Sequence, residues 1–219
     1  MRILALAGLL LLPTLHADPA ATTARAVAEA YGIPAWPSVK RVAFTFNVDA
    51  PGKKVARSWV WEPRENQVTL TETVGKSFTY QRDEATSDEA LATIDQQFVN
   101  DSYWLVFPFH LVWDEGATLT EQSGPLPLPI GEGDAAKSLT IRYANDVGYT
   151  PGDAYDLYLN GKNEVLAWTF RKGGAEEITL ATTWSTPETF GPIRITTDHQ
   201  GKDNFRIFFT NVSVEADPR

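Results

Sequence analysis

The chain contains no cysteine. Disulfides, thiol nucleophiles and thiolate metal sites are therefore excluded, and so is the cysteine-linked lipid that anchors an exported lipoprotein just after its signal. Histidine is nearly as scarce. His16 lies close to the N-terminus, and the other two, His110 and His199, stand far apart and share no metal-binding spacing such as a pair on one helix face. His199 sits in the polar stretch Asp198-His199-Gln200-Gly201-Lys202, which reads as a solvated hairpin loop. His110 reads as a histidine satisfied by its neighbours. No basic run occurs and the formal charge is −9, so the positive footprint needed for nucleic acid or an anionic membrane is missing. There is no Gly-x-Ser-x-Gly elbow, phosphate-cradling loop or dinucleotide fingerprint, and nothing calls for a cofactor.

Long apolar runs are also lacking beyond the first residues. Met1-Arg2, an apolar stretch over residues 3–12 and a small residue at Ala17 have the layout of a signal peptide, with cleavage expected after Ala17. The stretch is too short to span a bilayer comfortably. The expected organisation is a signal over residues 1–17, an N-terminal helix and lead-in over 18–38, and a single β domain over 39–219. Export without cysteine points to a periplasmic or secreted protein with no integral membrane span after cleavage.

Period-two alternation is abundant. Residues 40–48 put Val42, Phe44, Phe46 and Val48 on one face, and 55–62 do the same with Val55, Arg57, Trp59 and Trp61. Residues 67–74 and 76–82 form a hairpin across Gly75, and Asn160-Gly161-Lys162-Asn163 marks another between 154–159 and 164–171. Further strands are expected near Leu119 and over 138–144, 178–184, 193–197 and 204–214. Two helices are expected. One covers 22–31 and stops at Gly32 and Pro34; the other covers 88–100, with Leu91, Ile94, Phe98 and Val99 in one stripe and Ser87 as cap. Residues 103–113 alternate as Tyr103, Leu105, Phe107, Phe109, Leu111 and Trp113, and read as a strand with a bulge or edge position at Pro108.

Strands, a central helix and more strands predict an α+β fold: one strongly curved antiparallel sheet with helices packed on one face. A two-sheet sandwich fits the same spacing. The acidic pairs Asp83-Glu84, Asp114-Glu115 and Glu176-Glu177 fall beside turn signals and read as solvated loop charge. Asn211-Val212-Ser213 has the glycosylation pattern but reads as strand. The positive signal is aromatic: seven Trp, seven Tyr and eleven Phe exceed what two short helices need to cover. Such surface either fills a core or lines an apolar cavity.

The segments Tyr103-Trp104-Leu105-Val106-Phe107-Pro108-Phe109 and Val147-Gly148-Tyr149-Thr150-Pro151-Gly152-Asp153-Ala154-Tyr155-Asp156-Leu157-Tyr158-Leu159 resemble bacterial exported proteins of the lipoprotein-carrier type, the LolA and LolB superfamily. Trp168-Thr169-Phe170, Trp184 and residues 205–212 fit the same resemblance, which runs from about Val39 to Val214. It implies an incomplete β barrel, lined with apolar side chains and with helices on its concave face, that holds acyl chains. Without a lipid-anchor cysteine the chain is more similar to the soluble carrier than to the anchored acceptor. The reading that follows is a non-enzymatic carrier or sensor for a lipid, acyl chain or other apolar ligand, with an envelope protein as a further partner. Its cavity lining is expected among Phe44, Phe46, Trp59, Trp61, Leu105, Phe107 and Phe109. Two alternatives are an envelope-glycan hydrolase or lyase, which needs two carboxylates about 5 to 10 Å apart, and an interaction module with a filled core and an outward aromatic patch.

Overall fold

The computed structural model describes residues 18–71, 75–86, 88–145 and 151–218; the expected signal peptide, Val74 and Ser87 lie outside them. In chain order the elements are α1 (Pro19–Ala30), β1 (Val39–Ala50), β2 (Lys53–Glu62), β3 (Gln67–Thr71), β4 (Ser77–Gln81), α2 (Glu89–Trp113), β5 (Ala117–Pro127), β6 (Asp134–Tyr143), β7 (Ala154–Leu159), β8 (Val165–Arg171), β9 (Leu180–Thr183), β10 (Glu188–Phe190), β11 (Ile193–Ile195), β12 (Asp198–Gln200) and β13 (Arg206–Ala216). A 3-10 turn over Ile33–Ser38 leads from α1 into β1. The fold is α+β and its strand pairs are antiparallel.

The single strongly curved sheet expected from the strand count does not form. Six strands make one open sheet in the order β12-β13-β1-β2-β3-β4, five make a second in the order β5-β6-β7-β8-β9, and β10-β11 is a separate ribbon. The two large sheets meet edge to edge where Ser185 N–H reaches Asp198 O (3.2 Å) and Gln200 N–H reaches the Thr183 hydroxyl (3.1 Å). Spacing specifies which residues share a face but not which strands are neighbours, and the break between the sheets is a fact of neighbours.

The largest correction concerns residues 103–113, which are helix rather than strand. α2 runs on from Glu89 to Trp113, with Asp88 capping Ala90 and Leu91 N–H through its carboxylate (2.8 and 3.1 Å). Nothing over residues 100–102 stops it, since no glycine or proline occurs between Asn100 and Pro108. The aromatic run looked like a strand because both of its alternating faces are apolar, and a helix buried on all sides has that composition too. The side-chain pairs have helical spacing: Tyr103 on Phe107 (ring centroids 4.8 Å), Phe109 on Trp113 (5.2 Å), and Tyr103 on His110 one further turn away (4.4 Å). Pro108 leaves its mark within the helix. Val106 departs from helical geometry (φ −122°, ψ 26°), and the proline supplies no N–H to the carbonyl of Trp104.

α2 lies against the inner faces of both sheets. Its first half packs on the six-stranded sheet, with Phe98 edge-on to Trp59 and Trp61 (5.5 Å each). Its second half packs on the five-stranded sheet, with Phe107 against Tyr155 (5.6 Å) and Trp104 against Trp168 (4.5 Å). α1 starts at Pro19, capped by Asp18, three residues earlier than periodicity suggested. Tyr31 ends it and accepts the Val165 N–H at its phenol oxygen (3.2 Å). That phenol is pushed up to about 12 by burial. In β13, Asn211 takes a left-handed conformation (φ 54°) beside the register shift between Ala43 and Thr45, a bulge position that asparagine tolerates.

Two buried carboxylates fix α2 on the first sheet. Asp101 is fully buried and accepts the Arg57 guanidinium at 2.7 and 2.6 Å and the Trp59 indole N–H at 2.9 Å. One turn and a half earlier Asp95, 2% exposed, accepts the Tyr80 hydroxyl (3.0 Å) and Arg82 (2.8 and 3.2 Å). Removing one member of such a pair strands the other, so Asp101→Ala is expected to cost about 3–5 kcal/mol of unfolding free energy. Arg57→Leu combined with Asp101→Leu should cost less than Asp101→Ala alone. Urea titrations of the variants measure both, and a loss below about 1 kcal/mol for Asp101→Ala would show the pair to be dispensable.

Candidate functional site

A cavity of about 1020 Å³ opens between the sheets beside α2. β1 and β2 contribute Phe46, Val48, Val55 and Trp61 to its wall, because these alternate residues face α2. On the opposite side the inner face of the second sheet contributes Tyr143, Tyr155, Trp168, Phe170 and Leu180. The register makes this one face: Tyr155 pairs with Phe170, and Phe170 with Leu180. α2 supplies Phe98, Val99, Tyr103, Trp104 and Trp113 between them.

Of the seven side chains expected at a cavity, Phe46 and Trp61 are on this wall. Phe44, Trp59, Leu105, Phe107 and Phe109 are packed in the core, each at most 2% exposed. Sequence reasoning missed the contribution of β7, β8 and β9, since it had no means of bringing the second sheet opposite the first. It also missed the helical residues Trp104 and Trp113, which an eleven-residue strand would have sent elsewhere.

The wall is apolar for most of its extent, with one hydrogen-bonded group on it. Tyr143 donates its hydroxyl to Asp114 Oδ2, Tyr103 and Tyr143 oxygens lie 2.7 Å apart, and His110 Nδ1 is 2.8 Å from Asp114 Oδ1. Since the Tyr143 proton points at Asp114, Tyr103 must donate to Tyr143. Both phenols are raised well above their ordinary range, mainly by burial and with the Asp114 charge adding to it, so they stay protonated. His110, four residues before Asp114 on α2, was expected on a strand. The helix is what lets the two meet. Because a carboxylate oxygen can only accept, His110 donates from Nδ1 to Asp114.

Asp114-Glu115 therefore sits at the C-terminal end of α2 rather than at a strand end, and Asp114 is committed to Tyr143 and His110. Glu115 and Asp153 also reach the wall. The cations on the wall are Lys53, Arg57 and Arg82, and the last two are held by Asp101 and Asp95. Among the described residues no group of three or more His, Asp or Glu side chains is placed to hold a metal ion, and no helix is long and apolar enough to cross a membrane.

His199 is not in a solvated loop. It forms the centre of β12, opposite Ile207 on β13, and is 0% exposed, with Trp184 at 4.0 Å, Trp104 at 5.5 Å and Phe209 at 6.0 Å between ring centroids. The polar flanks Asp198 and Gln200 point away, where Asp198 binds Arg206 (2.6 Å), so the alternation that buries His199 was present but carried by a strand of three residues. Burial pushes the imidazole down to about 3, with Asp198 and the Thr183 backbone acting weakly in the other direction. Above its ordinary value near 6.5 the ring is neutral in the folded and the unfolded chain. Below it the unfolded chain takes up a proton that the folded chain refuses, so stability falls with pH from about 6.5 down to about 3. The contribution is up to about 1.4 kcal/mol per pH unit. His199→Phe should flatten that limb in urea titrations run from pH 7.5 to 4, and an unchanged slope would place the acid sensitivity elsewhere.

The fold and its cavity define a class of α+β proteins with open antiparallel sheets around a central helix. No family model matches the chain, and no curated protein sequence does. Among solved structures it is similar to a DUF1329 family protein from Desulfovibrio piger (TM-score 0.49, 8% identity, 93% of this chain and 96% of the other). It is also similar to a domain from Vibrio parahaemolyticus provisionally described as an outer membrane lipoprotein-sorting protein (TM-score 0.47, 7% identity, 91% and 94%). At these identities no site residue transfers from either.

Proposed function

We propose that the protein is a non-enzymatic carrier or sensor that binds a lipid, acyl chain or other apolar ligand in the cavity between its sheets, and that it works in the bacterial envelope as one domain over residues 39–219. The observation that carries this reading is the cavity: about 1020 Å³ with a wall of Phe, Trp, Tyr, Val and Leu side chains from α2 and both large sheets. Ligand pockets of about 300–1,000 Å³ with apolar walls and few polar groups are the usual form for small-molecule binding. Phe46 and Trp61 contact the ligand in this reading, and Phe44, Trp59, Leu105, Phe107 and Phe109 form the packed layer that holds the wall in place. The absence of a lipid-anchor cysteine and the signal-like first seventeen residues support a soluble periplasmic or secreted form. An envelope protein would be the source or the destination of the cargo.

The glycan-cleaving alternative has less support. Asp114 is already tied to Tyr143 and His110, and Asp83-Glu84 and Glu176-Glu177 are not on the cavity wall.

Four tryptophans, Trp61, Trp104, Trp113 and Trp168, are on the wall, so a bound chain changes their emission. Titration with lauric and palmitic chains, free and esterified, is expected to give a saturable change at one ligand per protein. The absence of any saturable change with all of them would overturn the carrier reading. Val55→Asp puts a charge on the wall without touching the packed layer and should weaken binding at least about tenfold, since the ligand would bury an unpaired carboxylate. Native mass spectrometry of protein purified from its own producing cells should carry a stoichiometric acyl-bearing species.

A further inference from the structure

The inner end of the second sheet is poorly matched to a ligand made only of hydrocarbon. Trp168 is on the cavity wall, yet its indole N–H has no acceptor among the described residues. The same is true of the Trp184 indole N–H, and the Thr182 hydroxyl is likewise unpaired among the described residues; these three side chains are at most 4% exposed, and His199 is fully buried beside them. Strand register brings them together. Trp168 pairs with Thr182 across β8 and β9, and the Trp184 backbone N–H bonds Leu166 O at the next same-face position, so the three share the inner face. His199 is opposite Ile207, itself on the wall, and its ring abuts Trp184.

Buried polar groups in folded proteins are nearly always hydrogen-bonded, and exceptions that cluster at a cavity mark a place where something else completes the bonding. Two facts narrow what that is. No Lys, Arg, Asp or Glu belongs to the group; the neighbouring Asp198 is taken by Arg206 and Gln200. A charged head would therefore be buried with no counter-ion. The indoles can only donate, so the missing partner is an acceptor. Trp104, another wall residue, covers the group with its ring 4.5 Å from Trp168 and stacked 6.3 Å from Trp184. It also sits beside a break in the helix, two residues before the non-helical Val106 and with its carbonyl deprived of a helical partner by Pro108.

We infer that this end of the cavity is a subsite for an uncharged oxygen-bearing group of the ligand, an ester or amide carbonyl, which enters beside Trp168 as Trp104 turns aside and accepts the indole N–H bonds of Trp168 and Trp184. The inference rests on the carrier reading and adds the chemistry of the cargo: an acylated molecule with its ester or amide linkage buried, rather than a free fatty acid or a plain hydrocarbon. The Thr182 hydroxyl complements the indoles, and His199, neutral in this setting, contributes no charge.

The test compares methyl decanoate with undecane, which have similar chains and differ by the ester, using calorimetry on the full mature protein. The wild type is expected to prefer the ester by about tenfold or more, the gain from one or two buried hydrogen bonds. Trp168→Phe and Trp184→Phe, which remove the N–H and keep an aromatic ring, should each reduce that preference several-fold while leaving undecane binding nearly unchanged. In the wild type with ¹⁵N-labelled tryptophan, the indole resonances of Trp168 and Trp184 should move on adding the ester and stay in place with undecane, a readout independent of how well the variants fold. Equal binding of both ligands by the wild type, with unmoved indole resonances, would overturn the subsite and leave the carrier reading standing. Binding of neither would overturn the carrier reading. Decanoate anion binding as tightly as its methyl ester would replace the neutral subsite by an anionic one and so overturn the proposal.

Discussion

The buried carboxylate of Asp101 is the constraint on which the rest of the architecture depends. A fully buried acid is tolerated only when its hydrogen bonds are complete. Asp101 meets that condition in a single placement of α2, where the Arg57 fork and the Trp59 indole from β2 converge on it. Apolar packing alone would let a helix with aromatic residues on all sides slide or rotate against the sheet, since many placements bury similar area. Asp101 and Asp95 together set its position along the axis and its rotation, and they do so for the first half only. Beyond Ser102 the helix is held on the second sheet by aromatic contacts and by the hydrogen bonds of Tyr103 and Asp114 with Tyr143, with no bidentate ion pair among the described residues. The kink at Val106 and Pro108 lies within that half.

The cavity follows from the same arrangement. Two sheets packed directly face to face stand about 10 Å apart and interdigitate their side chains. A helix about 10 Å across placed between them roughly doubles that distance. Where α2 lies, its own side chains fill the gap. Beside it, residues such as Val48 and Val55 on one sheet and Phe170 and Leu180 on the other are too short to meet, and space remains. Tryptophan on the wall reduces that space without closing it, because rings meeting edge to face leave gaps that aliphatic chains would fill.

Much of this was legible in the sequence, and the failures share one cause. The hairpins at Gly75 and Asn160, the β1–β2 faces and the start of α2 follow from local pattern: alternation, turn residues and caps act between neighbours in the chain. The second half of α2 was misread because residues 103–113 are apolar on every side, so neither period is favoured, and the deciding fact is that two sheets bury the segment from opposite directions. The buried partners of Arg57 and His199 were hidden for the same reason. Arg57 alternated correctly with Trp59 and Trp61 onto the inner face, and an arginine there should have prompted a search for a buried acid on the helix; Asp95 and Asp101, at the edge of its apolar stripe, were available. His199 gave a weaker signal, since three residues between polar flanks do not establish a period.

The polar groups around the cavity divide by what they ask of a ligand. In the chain from Tyr103 through Tyr143 to Asp114, joined there by His110, every hydrogen bond runs toward the one carboxylate, so that acid already has its donors. The group behind Trp104 is the reverse, with two indole N–H donors that have no acceptor among the described residues. A cavity built in this way would hold its cargo by area, at about 25 cal/mol per Å² of apolar surface covered, with direction along the cavity given by the single end that lacks a partner. Holding by area suits a carrier, because hydrocarbon contact is lost progressively as a chain slides out, whereas an ion pair with Arg57 or Lys53 would have to break in one step. The two arginines on the wall are already held by acids of α2, Arg57 by Asp101 and Arg82 by Asp95, so neither asks for a charge on the cargo.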